Sequence, residues 1–141
     1  MPNWFIVNSS NPKLAVQGGA SAGSGVTLQT LDTANVSQQW TVQLQVANGY
    51  SGVALVNANT SLAVTFNGTR DQLTMESYSA LSVDQDAWLL MPAGGSNSFR
   101  VVWPADTSWS WNDKNGNFKP GDELVLWNDQ SPNSVWSPIY Q

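Results

Sequence analysis

Gln39-Trp40-Thr41-Val42 is the first of three similar segments, and the other two, Ala87-Trp88-Leu89-Leu90 and Val135-Trp136-Ser137-Pro138, follow it at steps of 48 residues. A fixed period of this length is the signature of repeated structural units. The chain of 141 residues has the usual length of one domain. We therefore expect a single domain, 1–141, built from three repeats that run roughly over 1–47, 48–95 and 96–141.

Each repeat carries the pattern of four short strands. Apolar residues recur at the period of two that suits a half-buried strand, as in Val26-Thr27-Leu28 and Leu73-Thr74-Met75. Turn-forming pairs such as Asn67-Gly68 and Asn115-Gly116 separate these strands. Propellers of four-stranded units close with about 4 to 8 blades, so three repeats favour a different arrangement. The sequence predicts an all-β fold nearly free of helix, a β-trefoil of twelve strands with pseudo-threefold symmetry.

The composition excludes several classes of function. Acidic side chains outnumber basic ones by ten to five, and the chain lacks the clustered cations that neutralise nucleic-acid phosphates. It contains no cysteine and no histidine, which excludes disulfides, thiolate zinc sites and nucleophiles that depend on either residue. No apolar run predicts a membrane span, and the N-terminus lacks the pattern of a secretory signal. We expect a cytoplasmic protein without metal or cofactor that neither binds nucleic acid nor inserts into membranes.

Two motifs resemble those of the ricin-B-type β-trefoil lectins. Gln38-Gln39-Trp40 matches the Q-x-W signature of that family, and the segment from Gly121 to Trp127 is similar to the strand that precedes the signature. Among lectins of this family, a chain without cysteine and without a secretory signal is most similar to the cytosolic lectins of mushrooms and other fungi. The resemblance implies a lectin that binds the glycans of glycoproteins or glycolipids without catalysis, with galactose or N-acetylgalactosamine as the type of sugar.

The resemblance also implies where the sugar binds. In this family each repeat can place an aromatic residue after its third strand, an asparagine before the Q-x-W and an acid near its second strand. The third repeat has Trp127 at the first position and Asn133 at the second, but Ser110 at the acid position. Asn112 or Asp113, in a loop expected from Ser110 to Lys119, is a candidate replacement for the acid. The predicted carbohydrate site consists of Trp127, Asn133, Asp113, Asn112, Ser110 and Asn128.

The eight tryptophans divide into core and surface positions. The three landmark tryptophans are expected in the core, as are Trp109 and Trp111, which align with apolar residues of the other repeats. Trp127 aligns instead with polar Gln29 and Glu76. An exposed position for Trp127 is therefore predicted, and sugar rings stack on exposed indoles through their apolar C–H faces.

Other interpretations stay open. A β-trefoil protease inhibitor would use a surface loop such as Asn112 to Pro120, and a binding module of a larger hydrolase is disfavoured by Met1 and the absence of a linker. The polar residues Gln17, Asp32 and Gln38 are candidates for a secondary site in the first repeat. Because shallow sugar sites gain strength from multivalency, we also expect a homodimer.

Overall fold

The computed structural model describes residues 3–47, 50–78, 84–95, 97–129 and 131–140, which form twelve β-strands and three short 3-10 helices. The strands are β1 (Trp4–Asn8), β2 (Leu14–Gln17), β3 (Thr27–Thr30), β4 (Trp40–Ala47), β5 (Tyr50–Asn57), β6 (Leu62–Thr65), β7 (Thr74–Ser77), β8 (Leu89–Pro92), β9 (Phe99–Trp103), β10 (Asp106–Asp113), β11 (Leu124–Trp127) and β12 (Trp136–Tyr140). The 3-10 helices span Val36–Gln38, Asp84–Asp86 and Pro132–Ser134, each ending two residues before a landmark tryptophan. The prediction of an all-β fold nearly free of helix is confirmed. Within the described residues there is no helix of the length and hydropathy needed to cross a bilayer.

Six strands close into a barrel. β1 pairs with β12 and β4, β4 with β5, β8 with β9, and β9 with β12. Between β5 and β8 the ring is completed by Val53 and Trp88, which exchange two backbone hydrogen bonds of 2.8 Å. A Cβ atom at Gly52 would lie 2.5 Å from the Trp88 carbonyl oxygen, so glycine permits this close approach.

The other six strands form three hairpins that meet at one end of the barrel. They pair as β2–β3, β6–β7 and β10–β11. Their backbones join in a closed triangle, in which Val26 N donates to Leu73 O at 2.8 Å, Leu73 N to Leu124 O at 2.9 Å and Leu124 N to Val26 O at 3.0 Å. Since the three residues occupy the same place in each repeat, the triangle marks the pseudo-threefold axis of a β-trefoil.

The landmark tryptophans fill the core in three equivalent positions. Trp40, Trp88 and Trp136 are each 0% exposed. Their indole nitrogens donate to the carbonyl oxygens of Val16, Val64 and Trp111 at 3.0, 3.0 and 3.1 Å. Each tryptophan thereby ties the end of its repeat to the second strand, and the indole N–H is satisfied inside an apolar core.

The strand registers confirm the sequence alignment of the repeats, with one correction. Ala15 lies opposite Gln29, Ala63 opposite Glu76, and Ser110 opposite Trp127. The predicted loop from Ser110 to Lys119 was wrong in its first part, because Ser110 to Asp113 pair with β11 as the end of β10. Their polar side chains suggest a turn, but backbone pairing with the apolar strand β11 keeps them in the sheet.

Candidate functional site

An open depression of about 590 Å³ lies beside the ends of β10 and β11 and the 3-10 helix Pro132–Ser134. All its lining residues belong to the third repeat. They are Asn112, Asp113, Lys114, Asn115, Gly116, Val125, Trp127, Asp129, Ser131 and Asn133. Seven of these ten residues are polar, and Trp127 is the aromatic member of the lining. The depression thus combines one indole with several amide, hydroxyl and carboxyl groups.

Trp127 is the last residue of β11, and 39% of it is exposed. The guanidinium carbon of Arg70 lies 5.4 Å from the centroid of the Trp127 ring, which is within cation–π range. Arg70 does not line the depression, so this cation holds the ring from outside it. The predicted exposure of Trp127 is confirmed, and the indole offers an apolar surface to whatever enters.

Asn112 contributes a carbonyl oxygen that lacks a donor. Its Nδ2 donates to Ser110 O at 3.0 Å, to Ser110 Oγ at 3.2 Å and to Trp127 O at 3.5 Å. Since two of these partners are carbonyl oxygens, which only accept, the amide orientation is fixed by its hydrogen bonds. Asn112 is 1% exposed, and its Oδ1 has no partner among the described residues. A buried acceptor without a donor costs free energy, so Oδ1 is suited to accept from a ligand.

Asp113 is the second buried polar group of the site. Its Oδ2 accepts from Phe118 N at 2.8 Å, whereas its Oδ1 has no donor among the described residues. Burial, and after it the neighbouring carboxyl group of Asp122, raise the pKa of Asp113 to about 7, although the bond from Phe118 N acts in the opposite direction. Asp113 therefore takes up and loses a proton near neutral pH.

The remaining predicted residues occupy different positions relative to the depression. Asn133 lines it and donates from Nδ2 to Asp113 O at 3.3 Å, which connects the 3-10 helix to the end of β10. Ser110 is 1% exposed and lies behind Asn112 rather than in the lining. Asn128 is exposed but also outside the lining. The structure thus brings together Trp127, Asn133, Asp113 and Asn112.

Sequence reasoning missed two lining residues that form a turn. Asp129 accepts from Ser131 N at 2.9 Å and from Ser131 Oγ at 2.8 Å. Both residues line the depression. The Asp-x-Ser spacing is a local signal for such a turn, but it does not indicate which side of the turn faces a cleft.

The first repeat is organised differently at the residues suggested for a secondary site. Gln38 is 1% exposed, and its Nε2 donates to Thr30 O at 3.0 Å and to Gln17 Oε1 at 3.1 Å. Its Oε1 accepts from Asp32 N at 2.9 Å. The Q-x-W glutamine, Gln38, therefore stabilises the first repeat through hydrogen bonds within that repeat.

The described residues contain no cluster of three or more His, Cys, Asp or Glu side chains that could hold a metal ion. The polar groups of the depression are amides, hydroxyls and carboxyls, together with the ammonium group of Lys114, which is paired with Glu123, and they lie next to one stacking surface. Such an arrangement suits a neutral polyhydroxylated ligand with an apolar face.

The fold places the chain among the β-trefoils, and structural comparison supplies the particular relatives. A designed threefold-symmetric protein, ThreeFoil, matches with a TM-score of 0.82 at 17% identity over 97% of both chains. The ricin B-like lectin of Macrolepiota procera, solved in complex with lactose, matches with a TM-score of 0.76 at 17% identity over 99% of this chain and 95% of the lectin. The resemblance to ricin-B-type trefoils is thus confirmed in structure.

A third match shows the same fold as part of a larger enzyme. An exo-β-1,3-galactanase from Clostridium thermocellum matches with a TM-score of 0.82 at 16% identity, over the whole of this chain but 30% of the enzyme. No protein-family model matches the sequence, and no curated protein matches it either. At these identities the matches establish the fold.

Proposed function

We propose that this protein binds carbohydrate without catalysis, in the depression of the third repeat, and that its ligands are glycans of the galactose or N-acetylgalactosamine type. The observation that carries the proposal is Trp127, an indole 39% exposed at the edge of a depression whose other lining is mainly polar. A sugar presents an apolar C–H face to an indole and hydroxyl groups to polar partners.

The hydrogen-bonding groups match the hydroxyls of a sugar. Asn112 Oδ1 and Asp113 Oδ1 are buried acceptors without a donor among the described residues. A sugar hydroxyl that donates to either would satisfy an acceptor whose solvation was lost on folding. Discrimination by such groups is strong, because a ligand lacking the hydroxyl leaves the acceptor unpaired.

Binding without catalysis fits the hydrogen bonding of Asp113 and Asp129, the two carboxylates that line the depression. Glycoside hydrolysis uses two carboxyl groups facing each other across the scissile bond. Here Asp113 is bonded to Phe118 N and Asp129 to Ser131, so both hold local structure. The galactanase match concerns 30% of that enzyme, which is consistent with a trefoil that accompanies a catalytic unit.

The choice of sugar type rests on relatives of the same fold. The Macrolepiota procera lectin was solved with lactose, and the C-half of an earthworm R-type lectin with GalNAc.

Because a shallow site is weak alone, the proposal includes a homodimer, in which two sites act together. Light scattering on the purified protein measures that state directly.

A glycan array of the wild-type protein and Trp127→Ala tests the proposal. We expect selective binding of galactose-type glycans, weakened by about tenfold or more in the variant because the stacking surface is gone. Gln29→Ala and Glu76→Ala are matched controls, since these residues occupy the same register position in the other two repeats, and both should bind as the wild type does.

Three outcomes are distinguishable. Binding that survives Trp127→Ala but is lost in Gln29→Ala or Glu76→Ala moves the site to another repeat. Glucose- or mannose-type binding that depends on Trp127 keeps the site and overturns the choice of sugar. No binding on the array removes the proposed function, and a panel of protease assays then tests the inhibitor interpretation.

A further inference from the structure

The carboxylates of Asp113 and Asp122 bind to the same loop, which borders the depression. Asp113 Oδ2 accepts from Phe118 N at 2.8 Å, and Asp122 Oδ2 accepts from Lys119 N at 3.0 Å. Phe118 and Lys119 are consecutive, so their two N–H groups bring the carboxylates side by side. The φ angle of Phe118 is 55°, the left-handed conformation in which successive N–H groups converge on anions.

Among the residues that the structure describes, neither carboxylate of this pair forms an ion pair. Lys114 Nζ forms an ion pair with Glu123 Oε2 at 3.2 Å. Asp129, on another side of the depression, is held by Ser131, and the backbone N–H of Lys119 is the group that contacts Asp122. Two negative charges held by consecutive N–H groups, one of them on a residue 1% exposed, are unfavourable. One proton held between them relieves the repulsion, in keeping with the pKa of about 7 for Asp113.

Asp113 Oδ1 can either carry the proton or accept a hydrogen bond from the ligand. It has no donor among the described residues, and Asp113 lines the depression. A proton on this carboxyl group is donated to Asp122, whereas a sugar hydroxyl donates more strongly to the ionised form. Hydrogen bonds to an ionised acceptor are roughly twice as strong as those to a neutral one. The two uses of the carboxyl group therefore compete.

We infer that Asp113 and Asp122 share one proton and that binding of a sugar in the depression releases it to the solvent, so that the affinity of the site rises with pH. This inference rests on the proposed function and adds to it a proton-linked control. Asp113 contacts the ligand, and Asp122 is a positioning residue that acts through Asp113.

Isothermal titration calorimetry with the best-bound glycan of the array tests the coupling. We expect the wild-type Kd to be about tenfold weaker at pH 5.5 than at pH 8.5, the difference between a neutral and a charge-assisted hydrogen bond. In Asp122→Asn the transition should move to lower pH, since the repelling charge is absent. Asp113→Asn should bind with the same Kd at both pH values. Glu76→Gln makes the same change of charge at the position of the second repeat that matches Trp127 and should follow the wild type.

A second measurement needs only the wild-type protein, so it tests the coupling even if a variant fails to fold. Carbon-13 NMR of the carboxyl groups follows Asp113 in the wild-type protein, where saturating sugar should lower its pKa by about one unit, the equivalent of the tenfold change in Kd. An unchanged Kd across this pH range, or an Asp122→Asn profile identical to the wild type, overturns the proton coupling and leaves the sugar site standing. No glycan bound at either pH overturns the proposed function itself.

Discussion

Trp111 and Trp127 lie on the same hairpin, but Trp111 is buried in the core and Trp127 is exposed at the surface. Trp111 is 0% exposed and meets the Trp88 ring edge to face, with the centroids 5.6 Å apart and the planes at 78°. Trp127 is 39% exposed and contacts Arg70 at its ring. The alignment of the repeats separates the two roles, because Trp111 falls on apolar positions and Trp127 on polar ones. Burial, rather than residue type, decides whether a tryptophan is available to a ligand.

Replacing each of these tryptophans should therefore affect a different property. Trp111→Ala leaves a cavity in the core and should lower the free energy of unfolding by about 3–5 kcal/mol. Trp127→Ala removes a surface side chain and should cost less than about 1 kcal/mol while weakening sugar binding. Urea unfolding followed by circular dichroism measures both costs. Equal losses of stability would mean that Trp127 is a structural residue, and the binding role assigned to it would lose its support.

The strands were predictable, but the arrangement at the site was predictable only in part. Apolar alternation and the 48-residue period fix the twelve strands, because each tryptophan must reach the same core. The extension of β10 through Asp113 was not foreseen, since its polar residues carry no local sign of a backbone partner. The proximity of Asp113 and Asp122 depends on the left-handed backbone conformation of Phe118. A positive φ is uncommon for an aromatic residue, so this conformation could not be predicted from the residue type.

The loop between β10 and β11 can be perturbed without touching a strand. Gly116 lines the depression with a φ of 64°, and a Cβ there would lie 3.6 Å from Asn133 Nδ2. Gly116→Ala should cost about 1–2 kcal/mol of stability through backbone strain and should also weaken sugar binding. Gly23→Ala, at a φ of 87° in the first repeat, carries the same strain away from the depression. Thermal melts and calorimetry should show equal destabilisation but normal binding in Gly23→Ala; weakened binding in both would indicate a general loss of order.

At the scale of the whole molecule, a symmetric backbone carries asymmetric side chains. The triangle of Val26, Leu73 and Leu124 repeats the same bond three times, whereas the matching position in the third strand of each repeat is aromatic only at Trp127. The backbone symmetry follows from packing three equivalent tryptophans around an axis. Surface side chains are free of that constraint, so they can be specialised in one repeat without disturbing the fold.

The stability of the whole chain should fall as the pH rises towards neutrality. Burial and the neighbouring Asp122 raise the pKa of Asp113 to about 7, and burial raises the pKa of Asp86 as well. In this pH range the folded state therefore binds more protons than the unfolded chain, in which these carboxyl groups titrate near their ordinary value of 3.8. A raised carboxyl pKa stabilises the fold below about pH 4, and that contribution is lost as the pH rises through the folded pKa. Hydrogen bonds from Ser108 lower the pKa of Asp106, which acts in the opposite direction below about pH 4.

We therefore expect the free energy of unfolding to be greatest near pH 4–5 and to decrease by on the order of a few kcal/mol by pH 8. Urea titrations at a series of pH values measure this slope, and Asp113→Asn should flatten it, because the asparagine carries no proton to lose. Asp32→Asn should keep the wild-type slope. A wild-type stability that increases steadily from pH 4 to pH 8 would contradict the raised pKa values, because it would require the folded state to favour ionised carboxylates.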